Sequence, residues 1–193
     1  MLKETKVKLI GTAPLLMHNG LMADQSSSYA IESKKVSGKK NKTEADHEAM
    51  AEMEWFAGLY TENDVIVVPS IVVETAIKFG ARKTKKGKDA ECGIFINKDI
   101  PLQFDDAKKP LEWLYKSGKY IDQRMVAIGA GGSKKRIKRT RPRFDSWALE
   151  FTIQYDDDIV PSEGVLMDWI DTCGSMVGIC DFRPRFGRFE RVL

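Results

Sequence analysis

Charged and apolar positions alternate from the start of the chain. Lys6, Val7, Lys8 and Leu9 sit in a stretch, Lys3 to Ile10, whose period of two predicts a strand with one buried face. Gly11 to Gly20 reads as a turn region in which Leu15, Leu16 and Met17 pack down. The pattern then lapses. Ser26, Ser27 and Ser28 are followed by Lys34, Lys35, Lys39 and Lys40, a composition that buries little and predicts a long mobile loop. It resumes at Thr43, an N-cap residue, with Glu44, Asp46 and Glu48 suited to the positive end of a helix dipole. The helix runs to about Leu59, with Met50, Met53, Phe56 and Ala57 as its apolar stripe.

Val65 to Val68 predicts a short buried strand, and Pro69 and Ser70 open a second helix, Ile71 to about Ala81. Gly93 to Ile96 reads as a short strand, Ile100 to Pro110 as a connector and Tyr120 to Ile128 as another strand. Trp147 to Tyr155 alternates cleanly, Asp156 to Asp158 turns, and Pro161 and Ser162 begin a last helix, Glu163 to about Thr172. Strands and helices in this order predict an α+β fold, an antiparallel sheet with helices on one face. A ferredoxin-like or RNA-recognition-like core with basic loop insertions fits it. The expectation is one domain over residues 1–193, with flexible insertions at about 22–43 and 82–92.

Composition adds little until charge is placed along the chain. At 42% hydrophobic and 31% charged, 193 residues suffice for a globular core, and the net charge of +3 is modest. Acids gather at Glu44 to Glu54 and Asp156 to Asp158. Cations gather elsewhere, which predicts a positive and a negative face. One basic run holds Arg82, Lys83, Lys85, Lys86 and Lys88, with Gly87 marking a loop or hairpin tip. The densest holds Lys134, Lys135, Arg136, Lys138, Arg139, Arg141 and Arg143 and leads into the Trp147 strand. A solvated loop is the ordinary reading of such a run, but a rigid strand carrying a basic segment also makes a platform for phosphates.

The closing stretch, GSMVGICDFRPRFGRFERV, interleaves Phe182, Phe186 and Phe189 with Arg183, Arg185, Arg188 and Arg191 behind Gly174 and Gly178. Guanidinium groups pair with phosphate, aromatic faces stack bases, and glycine lets a backbone approach a polyanion closely. A C-terminal strand with Phe inward and Arg outward explains the same alternation.

Val67-Val68-Pro69-Ser70-Ile71, leading into a helix that ends in Lys78 and Arg82, resembles an element of the RAMP superfamily, the repeat-associated proteins of CRISPR effector complexes. The closing stretch resembles that superfamily's glycine-rich loop and last strand. The order of elements is similar to that of the guide-RNA-binding backbone subunit. The chain is small for such a subunit, as a stand-alone phage or mobile-element relative would be, and its glycine loop carries bulky Cys180, Asp181 and Phe182. The resemblance implies an RNA-recognition-like core, a basic groove and head-to-tail assembly along a strand.

Catalysis is not expected. Some relatives in that superfamily cut RNA with a histidine or a loop aspartate, for which His18, His47 and Asp24 are the candidates. His18 adjoins an apolar turn, His47 sits on an acidic helix and Asp24 has no metal partner nearby. Gly129, Gly131, Gly132 and Lys134 lack phosphate-loop spacing. Cys92, Cys173 and Cys180 form no CxxC pair, so no metal or cofactor site is expected, and a reducing, cytoplasmic setting fits them. Gly11, Pro14, His18 and Asn19 interrupt any signal-peptide pattern, and no run reaches a membrane span.

The leading expectation is therefore non-catalytic binding of single-stranded RNA or DNA, RNA favoured, by a homo-oligomer or filament. Lys83, Lys85, Lys86, Lys134, Lys135, Arg136, Lys138, Arg139, Arg141, Arg143, Arg183, Arg185 and Arg188 would meet phosphates. Phe182, Phe186 or Trp147 would stack bases. A structural or assembly protein using its charged faces for self-contact is the alternative, and a small metal-independent ribonuclease the third reading.

Overall fold

The computed structural model describes residues 1–128 and 135–192. In chain order the elements are β1 (Leu2–Gly11), β2 (Leu15–Leu16), α1 (Ser28–Ser37), α2 (Glu44–Gly58), β3 (Thr61–Glu62), β4 (Val65–Val68), α3 (Ser70–Ala81) and α4 (Gly87–Gly93). Then follow β5 (Ile94–Phe95), β6 (Ile100–Pro101), α5 (Leu111–Lys116), β7 (Ile121–Ile128), β8 (Lys135–Phe144), β9 (Ala148–Asp156), α6 (Glu163–Thr172) and β10 (Phe189–Val192). They form two compact units. One comprises Met1–Leu16, Tyr60–Lys108 and Phe144–Leu193, the other Met17–Leu59 and Lys109–Arg143.

The first unit is built on an antiparallel sheet of order β10-β1-β9-β5. Numbered along the chain these strands lie 4-1-3-2, with α3 between the first and second and α6 between the third and fourth. That is the ferredoxin-like βαββαβ arrangement, so the expected α+β class holds. Period-two patterning explains the central pair. Val7 and Leu9 on β1, and Leu149, Phe151, Ile153 and Tyr155 on β9, are buried, while Lys6, Lys8, Glu150 and Thr152 between them are exposed. Each fully buried aliphatic side chain contributes about 1.5–3 kcal/mol. Helix α3 crosses α6 at Gly80, where a Cβ would lie 2.5 Å from the Trp169 carbonyl oxygen and 2.9 Å from the Cys173 nitrogen. Only glycine admits an approach that close.

The opposite sheet face is wet and mixed in sign. Glu4 accepts from Gln154 at 2.5 Å, Lys8 stands opposite Glu150, and β1 and β9 expose no aromatic ring. RNA-recognition domains stack bases on aromatics of this face. This chain therefore shares their order of elements but not aromatics on the two central strands; the exposed ring of the sheet, Phe95, stands on the edge strand β5 opposite Gln154.

The second unit joins α1, α2 and α5 to the β7–β8 hairpin. Thr43 caps α2 as expected, its hydroxyl accepting from the Asp46 N–H at 3.3 Å while the Asp46 carboxylate accepts from the Thr43 N–H at 3.0 Å. This capping box is worth about 1 kcal/mol. The buried stripe of α2 is Glu54, Trp55, Ala57 and Gly58, not the expected methionines, which are half-buried. Trp55 takes the interior place and donates Nε1–H to the Tyr120 carbonyl at 2.8 Å.

Two segments expected as loops are helical. Within 22–43, residues Ser28–Ser37 form α1, because Tyr29 and Val36, seven apart, share a face that lies along Met53 and Phe56 of α2. Within 82–92, the turn Arg82–Thr84 leads into α4, where Ala90 is buried and Lys86 N–H returns to the Ala81 carbonyl at 2.9 Å. Lysine-rich composition hid both, since lysine is a good helix former whose charge can stay in water.

Candidate nucleic-acid interface

In the first unit, the C-terminal end of α3 and the turn after α6 build a shallow cationic cup. Phe79, Arg82 and Lys83 come from the end of α3, where basic side chains suit the negative end of the helix dipole. Met176 and Val177 come from a π-type turn, Cys173–Val177, closed by Gly178 N–H to the Cys173 carbonyl at 2.8 Å. Arg183 and Pro184 come from the glycine-bounded loop that follows, and together these residues line a depression of about 500 Å³.

That loop is pinned at its base. Ile179 N–H donates to the Gly187 carbonyl at 2.9 Å, Gly187 N–H to the Pro14 carbonyl at 2.8 Å, and Asp181 N–H to the Leu16 carbonyl at 2.9 Å. Gly187 has φ +71° and its α-carbon faces the Ile179 carbonyl oxygen, so no side chain fits. Cys180 and Phe182 also take left-handed backbone, at φ 61° and 58°, at a cost of roughly 1–2 kcal/mol each. The pins hold this strain and aim Phe182 and Arg183 outward.

The Arg82 guanidinium lies 4.6 Å from the centre of the Phe79 ring, and that of Arg183 lies 5.7 Å from the same centre. Among the described residues, neither guanidinium is hydrogen-bonded to a carboxylate; the nearby Glu91 is bonded by Lys78, and the Arg82 charge adds a smaller pull on it without a hydrogen bond. The thiols beside Arg183 do not neutralise it either. Burial pushes Cys173 and Cys180 up to about 12, against the opposing pull of Arg183, so both stay protonated. Two guanidinium groups by one ring, with Lys83 exposed beside them, bring three cationic side chains to one depression, the kind of donor set that pairs with phosphate.

The second unit treats its arginines differently. Along β8, Arg139 and Arg141 stand opposite Arg124 and Asp122 of β7. Glu54 accepts from Arg139 at 2.6 Å and from the Thr140 N–H at 2.8 Å. Asp122, only 4% exposed, accepts a two-pronged bond from Arg124, Nε at 2.7 Å, and lies 3.9 Å from Arg143. That pairing holds Arg124 above the usual arginine range. Arg136 and Lys138 remain exposed, facing Ala127 and Met125 across the ladder. Between α2 and β8 runs a cleft of about 850 Å³ whose walls include Glu44, His47 and Glu48 on one side and Lys138 and Arg139 on the other.

The structure thus sorts the expected phosphate contacts. Lys83 and Arg183 line the cup, while Lys85, Arg185 and Arg188 are exposed elsewhere in the same unit. Lys86 is paired with Asp89 at 2.9 Å, and Arg139 and Arg143 face buried carboxylates, so these three do not offer free charge. Lys134 lies outside the described residues, and Lys135 is described only as backbone of β8. The 135–143 strand belongs to one unit and the 182–188 loop to the other.

Two of the three expected stacking rings are interior. Trp147 is 3% exposed and donates Nε1–H to the Ala13 carbonyl at 2.9 Å, because alternation along β9 begins one residue earlier and points it inward. Phe186 is 8% exposed, tucked under the loop with its ring 5.7 Å from that of Phe182. Phe182 is 45% exposed. Sequence reading passed over Phe79, although a ring one turn before a basic helix end is a signal for a guanidinium partner.

Of the catalytic candidates, His18 and His47 are exposed, and the Asp24 carboxylate accepts from the Ser26 N–H at 2.9 Å and hydroxyl at 2.7 Å, which lowers its pKa. Asp156, Asp157 and Asp158 converge closely enough to ligate a cation, but the Met1 ammonium bonds all three and Lys3 a second oxygen of Asp157.

No helix among the described residues is long and apolar enough to cross a membrane. No protein-family model matches the chain, and no curated protein matches its sequence. Among solved structures, Cmr6 from Pyrococcus furiosus is similar with a TM-score of 0.40 and 7% identity, over 100% of this chain and 99% of that one. A likeness that slight carries no argument about family or function.

Proposed function

We propose that the protein binds single-stranded nucleic acid, RNA in preference, without cutting it, and assembles head to tail along the strand. The observation that carries the proposal is the pair Arg82 and Arg183 on the Phe79 ring, two guanidinium groups with no carboxylate bonded to them among the described residues. Lys83 adds a third charge and Phe182 an exposed ring, which together suit a polyanion bearing flat bases. The motif resemblance to the RAMP superfamily points the same way.

Salt dependence tests it. Three phosphate contacts on a single strand give a slope of about −2 in log affinity against log salt, or about a 20-fold loss over a four-fold rise in salt. Fluorescence anisotropy with labelled oligouridylate reads this directly, and a flat response would overturn the proposal. Arg183→Ala should reduce the slope by about 0.7.

A further inference from the structure

Resting on the binding function just proposed, we infer that the cup seats one nucleotide as a unit, its phosphate among Arg82, Lys83 and Arg183 and its base flat on the apolar ledge of Met176, Val177 and Pro184. A site for phosphates alone needs only cations. Here four apolar side chains, Phe79 among them, share the depression with three cationic ones. Met176 is 60% exposed, and its exposure is built in rather than frayed. The π-type turn that presents it is closed by Gly178 N–H, and Gly174 within the turn abuts the Phe189 carbonyl oxygen so closely that no side chain could replace its hydrogen. Extra residues of this kind in a helical turn recur at functional sites.

In the same loop, one residue before Arg183, Phe182 is held at φ 58° and is 45% exposed, a conformation that a bulky residue adopts only where its surroundings impose it. Both guanidinium groups lie close to the Phe79 ring centre, at 4.6 and 5.7 Å, in the depression that Met176, Val177 and Pro184 also line. Charge and shape together fit an anion with a flat ring attached. A lipid surface fits less well, because the apolar part lies within a depression rather than at a projecting tip.

The test is a competition against labelled oligouridylate by unlabelled oligouridylate and by an abasic ribose-phosphate oligomer of the same length. The abasic oligomer should compete about ten-fold less well. Met176→Ser should weaken oligouridylate about five-fold and leave the abasic oligomer unchanged, whereas Arg183→Ala should weaken both. Both variants should melt with the parent protein, since both side chains are exposed. Equal competition by the two oligomers, or a Met176→Ser effect that is nil or identical for both, would overturn the base seat and leave the binding function standing. Failure to bind either oligomer would overturn the binding function itself. Preference for phosphatidylserine vesicles over both oligomers would overturn the two readings together.

Discussion

Strand β8 and the cup at the end of α3 are both rich in arginine, and they use it in opposite ways. On β8, Arg139 meets Glu54 and Arg143 faces Asp122, carboxylates that are buried and would be costly to leave alone. In the cup, Arg82 and Arg183 rest on Phe79 and bond no carboxylate among the described residues. Two arginines of the denser run, Arg139 and Arg143, are thus matched by acids from other elements, while Arg136 and Lys138 stay exposed. Charge density along a chain therefore ranks candidate anion sites poorly when buried acids from other elements decide which cations are already matched.

The sharpest way to break the contrast is to unpin the cup. Gly187→Ala places a Cβ against the Ile179 carbonyl at a φ of +71°, and should cost about 3 kcal/mol. It should lower the melting temperature and abolish oligonucleotide binding in anisotropy. A variant that melts with the parent would mean that the loop relaxes freely.

Glu54→Ala attacks the other region. It strands the Arg139 guanidinium and the Thr140 N–H, at a cost of about 2–3 kcal/mol. Urea unfolding should show that loss, while affinity for oligouridylate holds within two-fold in conditions where the variant is folded. Weakened binding there would mean that the pair serves the ligand and not the hairpin.

Exchanging single arginines sharpens the comparison further. Arg183→Ala should lower affinity five- to ten-fold with stability changed by no more than about 0.5 kcal/mol. Arg139→Ala should do the reverse, lowering stability with affinity little changed. Matched effects of the two substitutions on binding would erase the distinction between the regions.

The smallest effect is expected where pairing is complete but exposed. Hydrogen bonds from the Met1 ammonium and Lys3 hold Asp157 down at about 2. A depressed carboxylate stabilises the fold above its unfolded pKa, near 3.9, and that contribution is lost as pH falls towards 2. Melting temperature should therefore drop slightly more steeply between these pH values in the parent than in Asp157→Asn, and added salt should shrink the difference.

Much of the fold was legible along the chain. β1 and β9 announced themselves by alternation, α2 by Thr43 and α6 by Ser162, because caps and period-two patterns are local. α1 and α4 were not legible, since their few apolar contacts are outvoted by lysine and serine. Of the candidate site, Arg183, Lys83 and Phe182 could be named in advance. Phe79 carried only the weak signal of a ring one turn before a basic helix end, and Met176 none, because an isolated methionine on a helix reads first as core.

The amino-acid order by itself determined the class of fold, the strands that carry its sheet and the presence of cationic segments, all of which follow from near-neighbour pattern and composition. Tertiary structure alone decided which cations stay unmatched, which rings reach water and which turn carries Met176 to the surface. Those outcomes depend on groups far apart in sequence, Glu54 with Arg139 or Phe79 with Arg183, and a pairing across such distances leaves no periodic trace in the chain.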